Sequence, residues 1–83
     1  MKAPVLYIVI PCYNEEEALP ITSEKLIALT DDMMKRNLID AKSRITLVDD
    51  GSRDRTWQVI SDLCKRDKRF EGVKLAHNAG HMN

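Results

Sequence analysis

Two short polar segments of this chain carry the side chains that could do chemistry, and each directly follows an apolar run. Residues 11–16, with the sequence PCYNEE, follow Val5–Ile10, and residues 49–52, DDGS, follow Ile45–Val48. Their carboxylates and amide can hydrogen-bond a base or a ribose, and their aromatic ring can stack on a base. In an open parallel sheet, ligands bind at the carboxyl ends of the strands. The two segments therefore indicate one ligand-binding edge.

Asp49 and Asp50 are expected to differ in role because side chains alternate along a strand. One carboxylate can face a ligand while the other braces the turn. The alternative is a capping cluster for the helix that follows, in which Ser52 or Asp54 supplies the cap. Gly51 gives the turn a backbone conformation that residues with a Cβ disfavour.

Composition restricts the class of protein and the kind of ligand site. The 83 residues allow at most one small domain, and 43% of them are hydrophobic, so disorder is not expected. The formal net charge is zero, which gives no reason to expect binding to nucleic acid. Gly51, Gly72 and Gly80 form neither a dinucleotide fingerprint nor a P-loop. A nucleotide would have to be held by side chains and turns.

Thiols and histidines give no sign of a disulfide framework or a metal site. Cys12 and Cys64 form no C-x-x-C pair, and we expect two reduced thiols in a reducing compartment. His77 and His81 are spaced i, i+4 but lack a third ligand nearby. No signal peptide is evident, and Val5–Ile10 is too short to span a membrane.

The hydrophobic pattern predicts the order β-α-β-α-β, with strands at about Leu6–Ile10, Ile45–Val48 and Val73–Ala76. Crossovers this short imply a parallel sheet with right-handed connections. The first strand is a continuous apolar run of the kind that is buried on both faces. Gly72 is expected to mark the turn into the third strand.

Two helices are predicted between the strands. The first has Pro20 in its first turn and ends near Arg36, with Asn14 as a candidate cap. The second begins near Asp54–Thr56. The apolar stripe of the first helix consists of Leu26, Ile27, Leu29, Met33 and Met34, and that of the second consists of Trp57, Ile60, Leu63 and Cys64.

The polar segments, with a third at Leu75–His81, resemble the N-terminus of glycosyltransferase family 2, whose fold is GT-A. That family reads I-P-x-Y-N-E-E, then V-D-D-G-S-x-D-x-T, then N-x-G-H. The matching residues here are Ile10–Glu16, Val48–Thr56 and Asn78–His81. The resemblance spans nearly the whole chain and is nearest to the branch with dolichyl-phosphate mannose synthase and bacterial polyprenyl-phosphate glycosyltransferases. It implies that residues 1–83 are the incomplete, nucleotide-binding N-terminal portion of a Rossmann-like GT-A domain.

The resemblance also implies a set of site residues. Asp50 is the implied contact to the base and Asp49 the residue that holds the loop, although these two roles could be reversed. Asn78 and His81 are implied to approach the ribose or the diphosphate, and a simple polar loop is the alternative there. The residues implied to bind the nucleotide-sugar donor are Pro11, Tyr13, Asn14, Glu15, Asp49 and Asp50.

The metal and the catalytic residues of the family are expected outside this chain. Family members hold Mg²⁺ or Mn²⁺ against the donor diphosphate with a D-x-D motif, which is expected beyond Asn83. We therefore expect residues 1–83 alone to bind no metal, to contain no catalytic residue and to be inactive. They are also expected to self-associate through an exposed sheet edge.

For the full-length protein, the resemblance implies transfer of a sugar from a UDP-sugar or GDP-mannose to an acceptor such as a polyprenyl phosphate. It would act in the cytoplasm at the membrane face, in a pathway of the cell envelope. The alternative is a non-enzymatic nucleotide-binding or receiver-like regulatory module, and a structural fragment is a further one. A receiver domain ends its third strand in a phosphoacceptor aspartate, whereas here the strand is expected to end in Ala76-His77-Asn78, which argues against a receiver.

Overall fold

The computed structural model describes residues 2–75, and its elements follow the predicted order. The three strands are parallel and lie in one sheet in the order β1-β2-β3, which confirms the α/β class. Asn78 and His81 lie outside the described residues. The elements are β1 (Tyr7–Cys12), α1 (Ala18–Lys35), β2 (Arg44–Asp49), α2 (Thr56–Arg66) and β3 (Phe70–Lys74).

The central strand β2 is buried from one side of the sheet. Its residues alternate between half-buried and buried, and the buried ones are Ile45, Leu47 and Asp49. Consecutive strands are neighbours in the sheet, so right-handed crossovers place both helices on the same face. The core therefore forms between that face and the two helices.

All five elements contribute to this one core. Helix α2 packs on β2 and β3, and α1 packs on α2. The predicted face of α2 is confirmed because Ile60 and Leu63 are buried with Trp57 and Cys64 packed beside them. The buried members of the core are Cys12, Leu19, Ile45, Leu47, Ile60, Leu63 and Phe70.

The opposite face of the sheet bears apolar side chains that no element within residues 2–75 covers. Tyr7 is 68% exposed and Val9 65% exposed, although both lie in β1. The prediction that the first strand is buried on both faces is therefore wrong for the described part of the chain. The reason is that both helices lie on one side of the sheet.

The third strand begins earlier than predicted. It runs Phe70–Lys74, so Gly72 lies inside the strand, opposite Leu47, instead of marking a turn. A Cβ at Gly72 would lie 2.7 Å from Ile60 Cγ2 and 3.3 Å from Cys64 Sγ. Glycine therefore allows α2 to pack directly on the backbone of β3.

The buried face of α1 also differs from the predicted stripe. Leu29 is exposed, whereas Leu19, Ser23 and Thr30 are buried. The two hydroxyls donate to backbone carbonyls of the preceding turn, which satisfies them without water. Polar residues can therefore occupy the buried face, and the hydrophobic pattern alone does not place it.

Candidate functional site

The carboxyl ends of β1 and β2 lie side by side, so the two polar segments meet at one edge of the sheet. Cys12 aligns with Asp49, and the amide of Asp50 donates to the carbonyl of Cys12 at 3.0 Å. We call residues 13–17 the first loop and residues 50–55 the second loop. The two loops therefore start from adjacent backbone positions.

Three successive backbone amides of the first loop are held by side chains from residues 52–56. A loop amide that is not in a helix or strand still needs a hydrogen-bond partner, and here each finds one far along the chain. The three pairs are the Asn14 amide with Ser52 Oγ (2.9 Å), the Glu15 amide with Thr56 Oγ1 (2.7 Å) and the Glu16 amide with Asp54 Oδ2 (3.1 Å).

Hydrogen bonds also run in the other direction between the loops. The Arg53 amide donates to Asn14 Oδ1 at 2.8 Å, and the Arg55 amide donates to Glu16 Oε1 at 3.4 Å. We call these two bonds and the three above the interloop network. Because it uses side chains of both loops, neither loop can change conformation without disturbing the other.

Asn14 serves the interloop network and does not cap α1 as predicted. Its φ of 50° lies in the left-handed region, which asparagine tolerates better than most residues. The cap position of α1 is Glu17, which makes no side-chain capping bond. The Asn14 side-chain oxygen instead accepts a hydrogen bond from the second loop. The NH₂ group is the part of this side chain that remains available to donate to a ligand.

Asp54 joins the first loop to the start of α2. Its Oδ1 accepts from the amide of Thr56 at 2.9 Å and also from the Thr56 hydroxyl, while Oδ2 holds Glu16. Burial opposes ionisation of Asp54, but these hydrogen bonds outweigh it and lower the pKa of the carboxyl. Asp54 thus satisfies an amide at the start of α2, while the cap residue Arg55 makes no side-chain capping bond.

Asp49 and Asp50 occupy different environments. Asp49 is 1% exposed, and its Oδ1 accepts a hydrogen bond from the Ser52 amide at 2.9 Å. Asp49 therefore holds the second loop from the buried end of β2. Asp50 is exposed. The only one of the two carboxylates accessible to a ligand is Asp50.

The side chains accessible at this edge are suited to a nucleoside. Pro11 and Asp50 are exposed, Tyr13 is 53% exposed, and Glu15 is half-buried. A ring that can stack and carboxylates that can accept from N–H and hydroxyl groups are present within two adjacent loops. The six residues that the resemblance implies for the nucleotide-sugar donor therefore lie at one edge of the sheet. Two of them, Asp49 and Asn14, also make hydrogen bonds that hold the second loop.

An open cavity of 280 Å³ lies beside the first loop, lined by residues 14–18 and Asp54. Its acidic residues are Glu15, Glu16, Glu17 and Asp54. Such a lining accepts hydrogen bonds from hydroxyls and repels a diphosphate. In residues 2–75, no group of three or more histidine, cysteine or acidic side chains is arranged to hold a metal ion.

Cys12 is not equipped to act as a nucleophile. Burial raises the pKa of its thiol, and the nearby carboxylates of Glu15 and Asp49 raise it further. Cys64 is also a free thiol, with its pKa raised by burial and then by Glu71. Neither thiol therefore has the lowered pKa that a nucleophilic cysteine needs.

Thr56 is the residue of this edge that the sequence interpretation missed. The sequence pattern predicts it only as part of a helix start, yet it is fully buried and holds the amide of Glu15. A hydroxyl residue at the first position of a helix that faces a neighbouring loop was the available signal. Its partner, however, lies in a distant segment of the chain.

Within the described residues, neither helix combines the length and the apolar character that a bilayer crossing requires.

The comparisons with known proteins agree with the motif resemblance. The family model "Glycosyl transferase family 2" matches residues 7–83. The chain is 50% identical over 79 residues to "Uncharacterized glycosyltransferase YkoT" of Bacillus subtilis (strain 168), an alignment that covers 95% of this chain and 23% of that protein.

The names of two other relatives specify a substrate. One is "Undecaprenyl-phosphate 4-deoxy-4-formamido-L-arabinose transferase" of Shewanella sediminis (strain HAW-EB3), 36% identical over 92% of this chain and 22% of that protein. The other is the human "Dolichyl-phosphate beta-glucosyltransferase", 33% identical over 90% of this chain and 24% of that protein. The chain spans about a quarter of the length of the curated relatives that it matches.

Proposed function

The chain belongs to glycosyl transferase family 2, and on this premise we propose that the full-length protein transfers a sugar from a nucleotide donor to an acceptor. The described residues supply the part of the donor site that binds the nucleoside. Pro11, Tyr13, Glu15 and Asp50 contact the base and ribose, and Asp49 and Asn14 hold the loops that present them. The donor is a UDP-sugar or GDP-mannose.

The observation that carries this proposal is the exposed Asp50 beside the exposed Tyr13. The two follow neighbouring parallel strands, and the bond from the Asp50 amide to the Cys12 carbonyl joins their backbones. A carboxylate at this position can accept from a ring N–H of a base while the tyrosine ring stacks on it. The backbone beside both residues is held before a ligand arrives, so the two loops need little ordering on binding.

The charge of this edge supports the nucleoside over the diphosphate as its ligand. The first loop carries Glu15, Glu16 and Glu17 in succession. A diphosphate bound beside these glutamates would need a cation between the phosphates and the carboxylates to offset their repulsion. In the family, Mg²⁺ or Mn²⁺ supplies that charge, and we propose that the ligands of this ion lie outside residues 2–75 and that it neutralises the leaving group.

The acceptor is proposed to be a polyprenyl phosphate. Support comes from the relatives whose names include undecaprenyl phosphate and dolichyl phosphate. An acceptor of this kind is held in a membrane, so the enzyme would work at the cytoplasmic membrane face, and its product would serve the cell envelope. The receiver-like alternative has no observation in its favour, because β3 ends at Lys74 and Leu75 follows.

The donor site can be tested with Asp50→Ala in the full-length protein. Titration calorimetry with UDP and with GDP gives the affinity of the wild type for each nucleotide. We expect Asp50→Ala to weaken the preferred nucleotide by about tenfold or more, since a hydrogen bond to a charged group is lost. The matched control is Asp62→Ala, which removes an exposed aspartate that lies on α2, away from the two loops. It should keep the wild-type affinity. Equal affinity of Asp50→Ala and the wild type would refute the assignment.

The acceptor needs a separate assay. Membrane vesicles with undecaprenyl phosphate are incubated with the full-length protein, MgCl₂ or MnCl₂, and radiolabelled UDP-glucose or GDP-mannose in parallel. Label in the lipid fraction that depends on undecaprenyl phosphate would support the proposal. Hydrolysis of the nucleotide sugar, or transfer of the sugar only to a water-soluble acceptor, would contradict the proposed lipid acceptor. Either result would leave the proposed donor site intact.

A further inference from the structure

Resting on the proposed function, we infer that Thr56 is a positioning residue of the donor site, which acts through the first loop without contacting the nucleotide. Thr56 is fully buried at the first position of α2. Its hydroxyl accepts from the Glu15 amide at 2.7 Å and donates to Asp54. It is thus the buried centre of the interloop network.

The geometry connects Thr56 to two residues proposed to bind the nucleoside. Glu15 is held directly through its backbone amide, and Tyr13 is two residues earlier in the same loop. Asp54, whose Oδ1 accepts from the Thr56 hydroxyl, holds the next amide, that of Glu16, through Oδ2. One hydroxyl therefore fixes the path of the first loop just after the tyrosine.

The direction of the hydrogen bonds makes the hydroxyl difficult to replace. It must accept from one group and donate to another at the same time, which a serine can also do and a valine cannot. In Thr56→Val the shape is retained, but the Glu15 amide and the Asp54 carboxylate each lose a partner. The first loop must then move to find water, and it carries Tyr13 and Glu15 with it.

The consequence is a specific pattern in binding. A buried amide without a partner corresponds to about tenfold or more in an equilibrium constant. We expect Thr56→Val to weaken binding of the preferred nucleotide, UDP or GDP, by about tenfold, and Thr56→Ser to stay within about threefold of the wild type. In turnover, KM for the nucleotide sugar should rise more than kcat falls, because the loop orders the ground-state site.

A stability control separates positioning from general damage. Ile60→Val removes one methylene from the core and is expected to lower Tm, and the apolar side chain of Ile60 cannot hydrogen-bond to the interloop network. It should leave nucleotide affinity unchanged. Ser52→Ala is the milder second variant, because Ser52 is only half-buried and holds the Asn14 amide at the rim of the network.

The experiment combines titration calorimetry with hydrogen exchange on the full-length protein and these four variants. The inference is supported if Thr56→Val weakens UDP or GDP binding, Ser rescues it, and the amides of residues 14–16 exchange about tenfold faster in the free Val variant. Equal weakening by Thr56→Val and Ile60→Val would overturn it, as would wild-type affinity in Thr56→Val.

The outcome also separates this inference from the proposed function. A wild type that binds neither UDP nor GDP refutes the proposed function. Exchange in the free protein then still decides the structural part, because unchanged protection of residues 14–16 in Thr56→Val overturns the role of Thr56. If Thr56→Val does not fold, Thr56→Ala takes its place, and unchanged exchange of the Glu15 amide together with unchanged affinity would overturn the inference.

Discussion

Asp49 and Asp50 are adjacent in sequence and opposite in environment: the first is buried beneath the second loop, where it accepts from the Ser52 amide, and the second is exposed at the edge of the sheet. Asp49 ends β2 on the buried side of the sheet, and the next side chain along the extended backbone points the other way. The two aspartates therefore have different roles: Asp49 stabilises the fold, and Asp50 is accessible to a ligand.

The two aspartates are therefore expected to affect stability differently. Asp49→Ala leaves the Ser52 amide without its partner and opens a space in the core, and should cost about 1–3 kcal/mol in free energy of unfolding. Asp50→Ala should stay within about 0.5 kcal/mol of the wild type. Urea unfolding of both variants measures this. A larger loss for Asp50→Ala than for Asp49→Ala would reverse our assignment of the pair.

Asn14 combines a left-handed backbone with a side-chain bond, and two variants separate these effects. Asn14→Ala loses both the bond to the Arg53 amide and the tolerance for φ of 50°, so we expect a cost of about 1–2 kcal/mol. Asn14→Gly loses the bond but keeps the backbone conformation, and should cost less. Thermal unfolding of the pair is the measurement. If glycine proves the more damaging replacement, backbone strain is not what selects asparagine here.

Gly72→Ala tests the contact between α2 and β3. A Cβ would meet Ile60 Cγ2 at 2.7 Å, closer than such atoms can approach, so the helix or the strand must shift. The expected loss is about 1–3 kcal/mol in free energy of unfolding, as for other overpacked cores. Lys68→Ala, an exposed change in the preceding loop, is the control. In an Ile60→Ala background, which lacks Cγ2, Gly72→Ala should cost less than it does in the wild type, and an equal cost would argue against this contact as the cause.

Acid should destabilise the fold through Asp54 and Asp67. Burial raises the pKa of each carboxyl, but hydrogen bonds outweigh it and bring both below the ordinary value of 3.8. The partners are Thr56 and Glu16 for Asp54, and Arg69 for Asp67. A carboxyl with a lower pKa in the folded state stabilises it above the unfolded pKa, and this contribution disappears as pH falls through the folded value.

We therefore expect the contribution of these two groups to be constant from pH 7 to about pH 5 and to decline below about pH 4. Urea midpoints recorded from pH 7 to pH 3 measure the decline. Asp54→Asn and Asp67→Asn should each show a shallower decline than the wild type, from a lower starting stability. A steeper decline in either variant would show that the carboxylate was not stabilising the folded state.

The order of elements and the polar edge could be predicted from the sequence because both depend on short-range patterns. The runs before Asp49 and before Pro11 are apolar and end in turn-forming residues, and such a pattern locates strand ends without any knowledge of neighbours. The start of α2 was also predicted, since Asp54 and Thr56 are typical of a helix N-terminus.

The remaining features depend on which segments become neighbours in space. Phe70 follows a charged run, so only its pairing with Ile45 identifies the start of β3. Ser23 and Thr30 are buried because their hydroxyls bond within α1, which a hydrophobic pattern cannot show. The bond between Thr56 and Glu15 joins segments separated by a whole strand and a helix.

The central place of β2 has a consequence for the order in which the chain can fold. β1 and β3 pair with β2 and not with each other, so the sheet can assemble in two separate closures. The crossover from β2 to β3 contains the shorter helix and fewer connecting residues in total, and a shorter loop loses less entropy on closing. The unit β2-α2-β3 should therefore form first. β1 joins last, and its arrival completes the interloop network, so the ligand edge is the final part of this segment to become ordered.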